Sequence, residues 1–273
     1  MPPRVAGFDA AAARYDDDEA GNAILRHMRE RSLENHRLAF GRGARLLELG
    51  SGTGTEASRL ARELECTVAL LAPSTHLLEV AAAKLRSIRP SALAGAHELP
   101  GQAVGSLVDH YGRASFDGAY SSFGALNCEP SLVPVASGLA ALVRPGGRVV
   151  LSIINRWCPG EVAWYALHGE LGEATRRWGG PVLAAAYPHG PKDVRTFYYS
   201  LREIRRAFVD GFVVEHAEAL PLLLPPPYLD FLARKSVVIR KTFHAVEGLD
   251  RWASRQPVLR NLGDHVLVRL RRR

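Results

Sequence analysis

The chain has 273 residues, 47% apolar and 23% charged, which is the balance of a soluble globular enzyme with enough length to bury a full core. No apolar run approaches the roughly 20 residues that span a bilayer, and Met1-Pro2-Pro3-Arg4 opens no secretory leader; no membrane is expected as a partner, and a cytoplasmic location is. The net charge of +7 invites nucleic acid, but 31 of the 35 basic residues are arginine and they interleave with acids everywhere except the tail Arg269-Leu270-Arg271-Arg272-Arg273. With no aromatic-basic stacking motif beside them, they read as the codon bias of a GC-rich genome, and no nucleic-acid partner is expected.

Taken in order, the elements alternate. Helices are expected over 6–40, the second from Asp17 to Phe40 with Asp17 or Asp18 as its cap and Ile24, Leu25, Met28 and Leu38 on its apolar positions. The run Asp16-Asp17-Asp18-Glu19 reads as a solvated helix start rather than a metal site, and no metal is expected. Ala44 to Leu49 is a strand, Glu56 to Leu64 a helix, Thr67 to Leu71 a strand, Leu77 to Leu85 a helix and Ser91 to Gly95 a weaker strand. A helical segment through His110, the strand Phe116 to Ser121, the helix Ser131 to Val143 and the strand Gly147 to Ile154 follow. Such βαβ alternation implies a parallel sheet covered on both faces.

The last third changes character. An insertion over about 156–193 carries Trp157, Trp164, Tyr165 and Trp178; the helix Leu201 to Phe208 and the strand Phe212 to Ala219 come next. A second insertion over about 221–262 holds Pro225-Pro226-Pro227 ahead of a helix from Tyr228 to about Glu247, and Val266 to Leu270 closes as a strand. The insertions are expected to cap the carboxyl ends of the strands, where α/β folds bind ligands. With no repeat or low-complexity linker, one domain over 1–273 is expected. Cys66, Cys128 and Cys158 are odd in number and far apart, so they read as small buried hydrophobes.

The chemistry concentrates in Gly50-Ser51-Gly52-Thr53-Gly54, between a strand and a helix. Alternate glycines permit a tight turn and a close approach of backbone to ligand, and the helix that follows offers free N–H groups to an anion. Thr53 and Glu56 fit a Ser/Thr-x-x-Glu capping box. Gly52-x-Gly54-x-x-Ala57 also fits the dinucleotide pattern, but Glu48 at the strand end suits loop amides or an ammonium and is awkward beside a pyrophosphate.

Leu46 to Gly54 closely resembles the first motif of the class I S-adenosylmethionine-dependent methyltransferases, and the resemblance runs over most of the chain. Phe8-Asp9 through Arg14-Tyr15-Asp16 resembles the family's N-terminal helix, Pro73-Ser74 with Leu77, Leu78 and Ala81 its second motif, and Ala96-His97-Glu98-Leu99-Pro100 its adenine-side loop. Phe116-Asp117-Gly118-Ala119 resembles the fourth strand, and Arg144-Pro145-Gly146-Gly147 the turn into the fifth. The resemblance implies a Rossmann-like α/β fold with a seven-stranded, mostly parallel sheet and helical cap insertions. It implies S-adenosylmethionine held by Tyr15, Glu48, Gly50, Ser51, Gly52, Thr53, Gly54, Ala72, Pro73, Ser74, His97, Glu98 and Ser121, with the acceptor under the insertions.

Two departures stand out. The acid that grips the ribose in the family is Ala72 here, and the acid offered to adenine is Gly95. For the substrate, the expected contacts are Phe123, Asn127, Trp157, Glu161, Trp164 and Tyr165; Asn127, His168 and Tyr15 are the catalytic candidates. Asp264-His265 reads as a structural pair. The implied activity is methyl transfer to a small molecule of secondary metabolism. The missing acids keep open a cyclase or lyase on the same fold, or a partner subunit; a homodimer and a heteromeric complex both stay open.

Overall fold

The computed structural model describes residues 21–185, 192–229 and 246–273. In chain order its elements are α1 (Ala23–Ala39), β1 (Arg45–Leu49), α2 (Thr55–Glu63), β2 (Thr67–Ala72), α3 (Thr75–Ile88), β3 (Leu93–Glu98), β4 (Phe116–Ser121), α4 (Val133–Leu142), β5 (Val143–Ile154), α5 (Pro159–Leu167), α6 (Leu171–Thr175), β6 (Val182–Ala185), β7 (Lys192–Thr196), α7 (Leu201–Phe208), β8 (Phe212–Leu220) and β9 (His265–Arg272).

The period-2 alternation of the strands sorts their side chains onto two faces. Leu47 and Leu49 of β1 join Val104, Leu139 and Ile204 on one side, while Leu46 joins Ile24, Met28 and Leu60 on the other. Helices α4 and α7 therefore cover the first face, and α1, α2 and α3 the second. The seven strands run in the order β3-β2-β1-β4-β5-β9-β8. The first five pair in parallel, and β9 lies antiparallel between β5 and β8. The chain proceeds outward from β1 in one direction and then resumes at β4 in the other. That reversal leaves a crevice above the carboxyl ends of β1 and β4. The expected seven-stranded, mostly parallel Rossmann-like sheet is the one observed.

Several boundaries differ from the expectation. Described helix α1 begins at Ala23, and its cap is Asn22, whose side chain accepts from Leu25 N at 2.9 Å; Asp17 and Asp18 lie outside the described residues. Strand β3 runs on to Glu98 because its pairing with β2 shifts between Val68 and Ala69. The segment toward His110 is a 3₁₀ helix, Gly101–Leu107, followed by the single helical turn Val108–Tyr111. The first insertion adds the hairpin β6–β7 to two short helices. Of the helix expected from Tyr228, the described part is a 3₁₀ turn at Pro227–Leu229 and helical residues 246–253.

A buried ionic cluster fastens α1 to the far edge of the sheet. The Arg31 side chain is fully buried and donates to Asp250 Oδ2 (2.8 Å), Glu218 Oε2 (2.8 Å) and Ser254 Oγ (2.6 Å). Asn35 donates to the other Glu218 oxygen at 3.1 Å, and Asp250 Oδ1 accepts from the amides of Leu222 and Leu223. Burial pushes the Glu218 carboxyl up, but His216 and Arg31 outweigh it and hold it at about 2. Removing one partner of such a cluster leaves a buried charge uncompensated, so Arg31→Leu is expected to cost about 3–5 kcal/mol in urea denaturation. The sign of the pH dependence follows from the depressed acid: its stabilisation is complete above the ordinary carboxylate range and is lost as pH falls toward about 2. A Glu218→Gln variant should show a flatter acid limb in the same titration.

Candidate functional site

The loop after β1 is held by its neighbours before any ligand is considered. The amides of Gly50 and Ser51 both donate to Leu71 O, at 2.7 and 3.3 Å, and Gly54 N donates to Ser51 O at 2.8 Å. Gly50 has φ +73°, and a Cβ there would lie 2.1 Å from Ala125 Cβ in the loop after β4. Gly54 has φ +78°, with a hypothetical Cβ 2.8 Å from Ala81 Cβ, which lets α2 press against α3. Gly52, at φ +49°, has nothing within 4 Å of that position. Two glycines thus serve close packing and the third leaves backbone open to a ligand.

The expected capping box is not formed. Gly54 occupies the cap of α2 with no side-chain cap bond. Glu56 turns instead to Arg29, whose Nη1 donates to it at 2.5 Å. A true capping box closes α7, between Ser200 and Glu203.

A cavity opens above the loop. Gly50, Gly52 and Thr53 form one side, Leu71, Ala72, Pro73, Ser74 and Leu77 the second, and the post-β4 loop Ser122–Leu126 a third. Cys128, Glu129, Gly101 and Ile154 complete the wall, and the hairpin contributes Ala184, Val194 and Thr196. From the first insertion it is thus β6 and β7, and not Trp157, Trp164 or Trp178, that stand among the described residues of the wall. Among the described residues that line the cavity, Glu129 is the single charged side chain. Its carboxylate accepts from Gly101 N at 2.6 Å; burial lifts its pKa, against the pull of the Gly101 and Gln102 amides. Cys128 is pushed up to about 11, mainly by burial, so it stays a thiol.

Other expected site residues stand apart from this wall or are spent on structure. Tyr15 lies outside the described residues. Asn127 is saturated: its amide donates to Ile154 O (2.9 Å) and Phe197 O (2.6 Å), and its oxygen accepts from Ile154 N at 2.8 Å. It clamps the turn and is not among the described residues of the cavity wall. Ser51 is buried, and Ser121 Oγ donates to Leu49 O at 2.8 Å. Ser74 Oγ caps α3. Phe123 lines the cavity with the Arg29 guanidinium 5.2 Å above its ring.

On β3, His97 Nε2 meets the Tyr111 hydroxyl at 2.6 Å, and Glu98 accepts from Thr75 at 2.5 Å. Gly95 sits in mid-strand, where a Cβ would lie 2.2 Å from that hydroxyl. A carboxylate at 95 would displace Tyr111 rather than reach a ligand; Glu98, paired with Ala72, is the acid at the strand end.

In the first insertion, Glu161 is buried rather than solvated. It accepts from Arg176 and from Arg177 (2.9 Å to Nε), and from the Tyr228 hydroxyl. Arg177 also donates to Asp264 at 2.6 Å, and Asp264 meets His265 Nδ1 at 2.8 Å, so the pair expected there belongs to one ionic network. His168 lies past the end of α5, exposed, with its ring tilted against that of Trp164. It shares no face with Glu161. Trp157 packs on Trp178, and Tyr165 lies under Arg176.

Glu48 is almost fully buried, and the amides of Gly50 and Ser51 go to Leu71 O rather than to its carboxylate. Burial and the neighbouring Glu56 raise its pKa well above the carboxylate range, against the pull of the Tyr120 hydroxyl and Arg29.

No family model matches the chain. O-methyltransferase rstn1 of Aspergillus nomiae is 26% identical over 153 residues, 53% of this chain and 63% of that protein, so the match spans less than two thirds of the relative. Among solved structures, geranyl diphosphate C-methyltransferase of Streptomyces coelicolor is 16% identical with a TM-score of 0.57, covering 89% of this chain and 78% of that one. The [4+2]-cyclase SpnF is 18% identical with a TM-score of 0.55, covering 89% and 80%. The complex of the Haloferax volcanii Trm112 methyltransferase activator with its methyltransferase gives 15% and 0.55, covering 97% and 96%. The chain has the class I, Rossmann-like methyltransferase fold.

The Glu48 environment makes a stability prediction. A carboxyl whose folded pKa is raised contributes most when protonated, below the ordinary carboxylate range, and loses that contribution as pH rises. Glu48→Gln is therefore expected to be more stable than the parent by about 1–2 kcal/mol at pH 7.5, with the gap closing near pH 4 in paired denaturation curves. A variant less stable at neutral pH would show that the ionised acid is supported by partners other than Tyr120 and Arg29.

Proposed function

We propose that the chain binds S-adenosylmethionine in the cavity above Gly50–Gly54 and transfers its methyl group to a small molecule. The observation that carries this reading is the composition of the wall: glycine backbone at the carboxyl end of β1, one carboxylate and no cationic side chain among the described lining residues. A buried carboxylate with no cationic side chain beside it is unfavourable next to a pyrophosphate and is compatible with a sulfonium ligand. The α2 N-terminus beside Gly54 offers the anion site that an amino-acid carboxylate needs.

Within this reading the methionyl end lies over Gly52 and Thr53, and the nucleoside toward Ala72, Pro73 and Ser74. The cofactor supplies an activated methyl carbon. The chain's own part is alignment and exclusion of water, which accounts for large effective molarities when the geometry is held, on the order of 10⁵–10⁸ M in favourable cases. Phe123, Ile154, Ala184 and Val194 give the far wall an apolar character, suited to an acceptor of secondary metabolism with substantial hydrocarbon surface.

A second reading is supported by Ala72: a cyclase or lyase that uses the same cavity without methyl transfer, as the likeness to SpnF illustrates. The Haloferax volcanii structure is a complex with an activator, which supports a heteromeric partner as an alternative to a homodimer. No helix among the described residues is long and apolar enough to cross a membrane, in keeping with a cytoplasmic protein.

Titration calorimetry of the purified, cofactor-stripped protein with S-adenosylhomocysteine is expected to show binding, and none at millimolar ligand would overturn the proposal. Ala72→Asp restores an acceptor for the ribose diol and is expected to tighten that binding by about 10- to 100-fold. An unchanged affinity would favour the second reading.

A further inference from the structure

Resting on the cofactor reading above, we infer that Glu129 recognises the 6-amino group of the cofactor's purine, in place of the acid absent from β3. Three observations converge on it. Glu129 is the single charged side chain among the described residues of the cavity wall, and it is only 6% exposed. A carboxylate taken that far out of water is favoured only where donors meet it. The donors present are backbone amides, Gly101 N at 2.6 Å from Oε1 with Gln102 N beside it; a ligand amino group would supply one more.

The second observation is position. Leu99 N donates to Ala72 O at 3.2 Å, which binds the chain after β3 to the end of β2. Two residues later Gly101 meets Glu129. The carboxylate is thus fixed beside the chain that follows β3, in the same cavity wall as Ala72. A nucleoside whose ribose lies over Ala72 presents its base to Glu129.

The third observation is how firmly the acid is set. A Cβ on Gly101 would lie 3.0 Å from Oε1 and 3.1 Å from Leu126 Cδ2, so glycine gives the backbone its close approach and a larger residue would press on the carboxylate. The Tyr199 hydroxyl donates to the carbonyl of Glu129. Backbone and side chain are both held, as a recognition element requires. Position 95, the place sequence comparison points to, is closed by Tyr111, so the acid has to come from elsewhere.

A carboxylate accepts from the 6-amino group of adenine but faces the lone pairs of the 6-oxo group of hypoxanthine. The unmodified protein is therefore expected to bind S-adenosylhomocysteine about 10- to 100-fold more tightly than S-inosylhomocysteine in calorimetry. Glu129→Gln, which keeps an oxygen for Gly101 N but adds a donor, should bring the two affinities within about threefold, chiefly by weakening the adenine ligand. A thermal melt near that of the parent confirms that the variant is folded, and the comparison on the unmodified protein needs no variant. Equal affinities in the unmodified protein, or a preference that survives Glu129→Gln, would overturn the inference while leaving the cofactor reading intact. Failure of both ligands to bind at millimolar concentration would overturn the cofactor reading, and the Glu129 assignment with it.

Discussion

The contact between Gly50 and Ala125 is the constraint on which the site depends. The chain leaves β1 and must turn out of the sheet beneath the loop that leaves β4, and there is no room for a methyl group between them. Gly50 meets this with a positive φ, and its amide and that of Ser51 are satisfied by Leu71 O on the neighbouring strand. The floor of the cavity is therefore built from packing inside the protein, without help from a ligand. The roof over it is fixed in the same way, because Asn127 ties the post-β4 loop to both Ile154 and Phe197. A preformed cavity loses less entropy on binding than one assembled around its ligand.

The arginine-rich composition finds its use inside the molecule. Arg31 joins α1 to β8 and to the helical residues 246–253, and Arg177 joins α5 to the start of β9 through Glu161 and Asp264. Arg29 reaches Glu56 at the start of α2, and Arg89 donates to three backbone carbonyls, of Ala61, Glu65 and Cys66. A guanidinium presents five donors in a planar fork, so one side chain can satisfy several buried acceptors at once. Charge that in the sequence suggests an external anion is spent in the structure on fastening the insertions to the sheet.

This explains where the sequence was legible and where it was not. Phe116–Ser121 and Leu201–Phe208 were readable to the residue, because periodicity and punctuation are local signals carried by the segment itself. The seven-stranded, mostly parallel sheet followed from the resemblance of motifs spread along the chain. The surroundings of Glu161, Asn127 and Glu48 were not legible, because their partners Arg177, Phe197 and Tyr120 lie 16 to 72 residues away in the chain, or across the sheet. Gly95 misled for a related reason: β3 runs on to Glu98, which leaves Gly95 inside the strand opposite Ala69 and sets Glu98 opposite Ala72. Glu129 carried a faint signal, a lone acid in the otherwise uncharged stretch from Tyr120 to Val143.

What remains in the cavity once the structural duties are subtracted is sparse. Asn127, Ser121, His97 and Glu161 are all committed elsewhere, which leaves backbone, small hydroxyls, aromatic and aliphatic walls, and one carboxylate. Charge-assisted hydrogen bonds contribute roughly 1.5–3 kcal/mol each, so a ligand held here owes most of its affinity to shape and buried apolar surface. Selectivity behaves differently, since a single buried carboxylate discriminates strongly against any group that cannot donate to it. A cavity built this way binds modestly and chooses sharply at one point, the carboxylate held by Gly101 after β3 rather than the glycine backbone that first marks the site in the sequence.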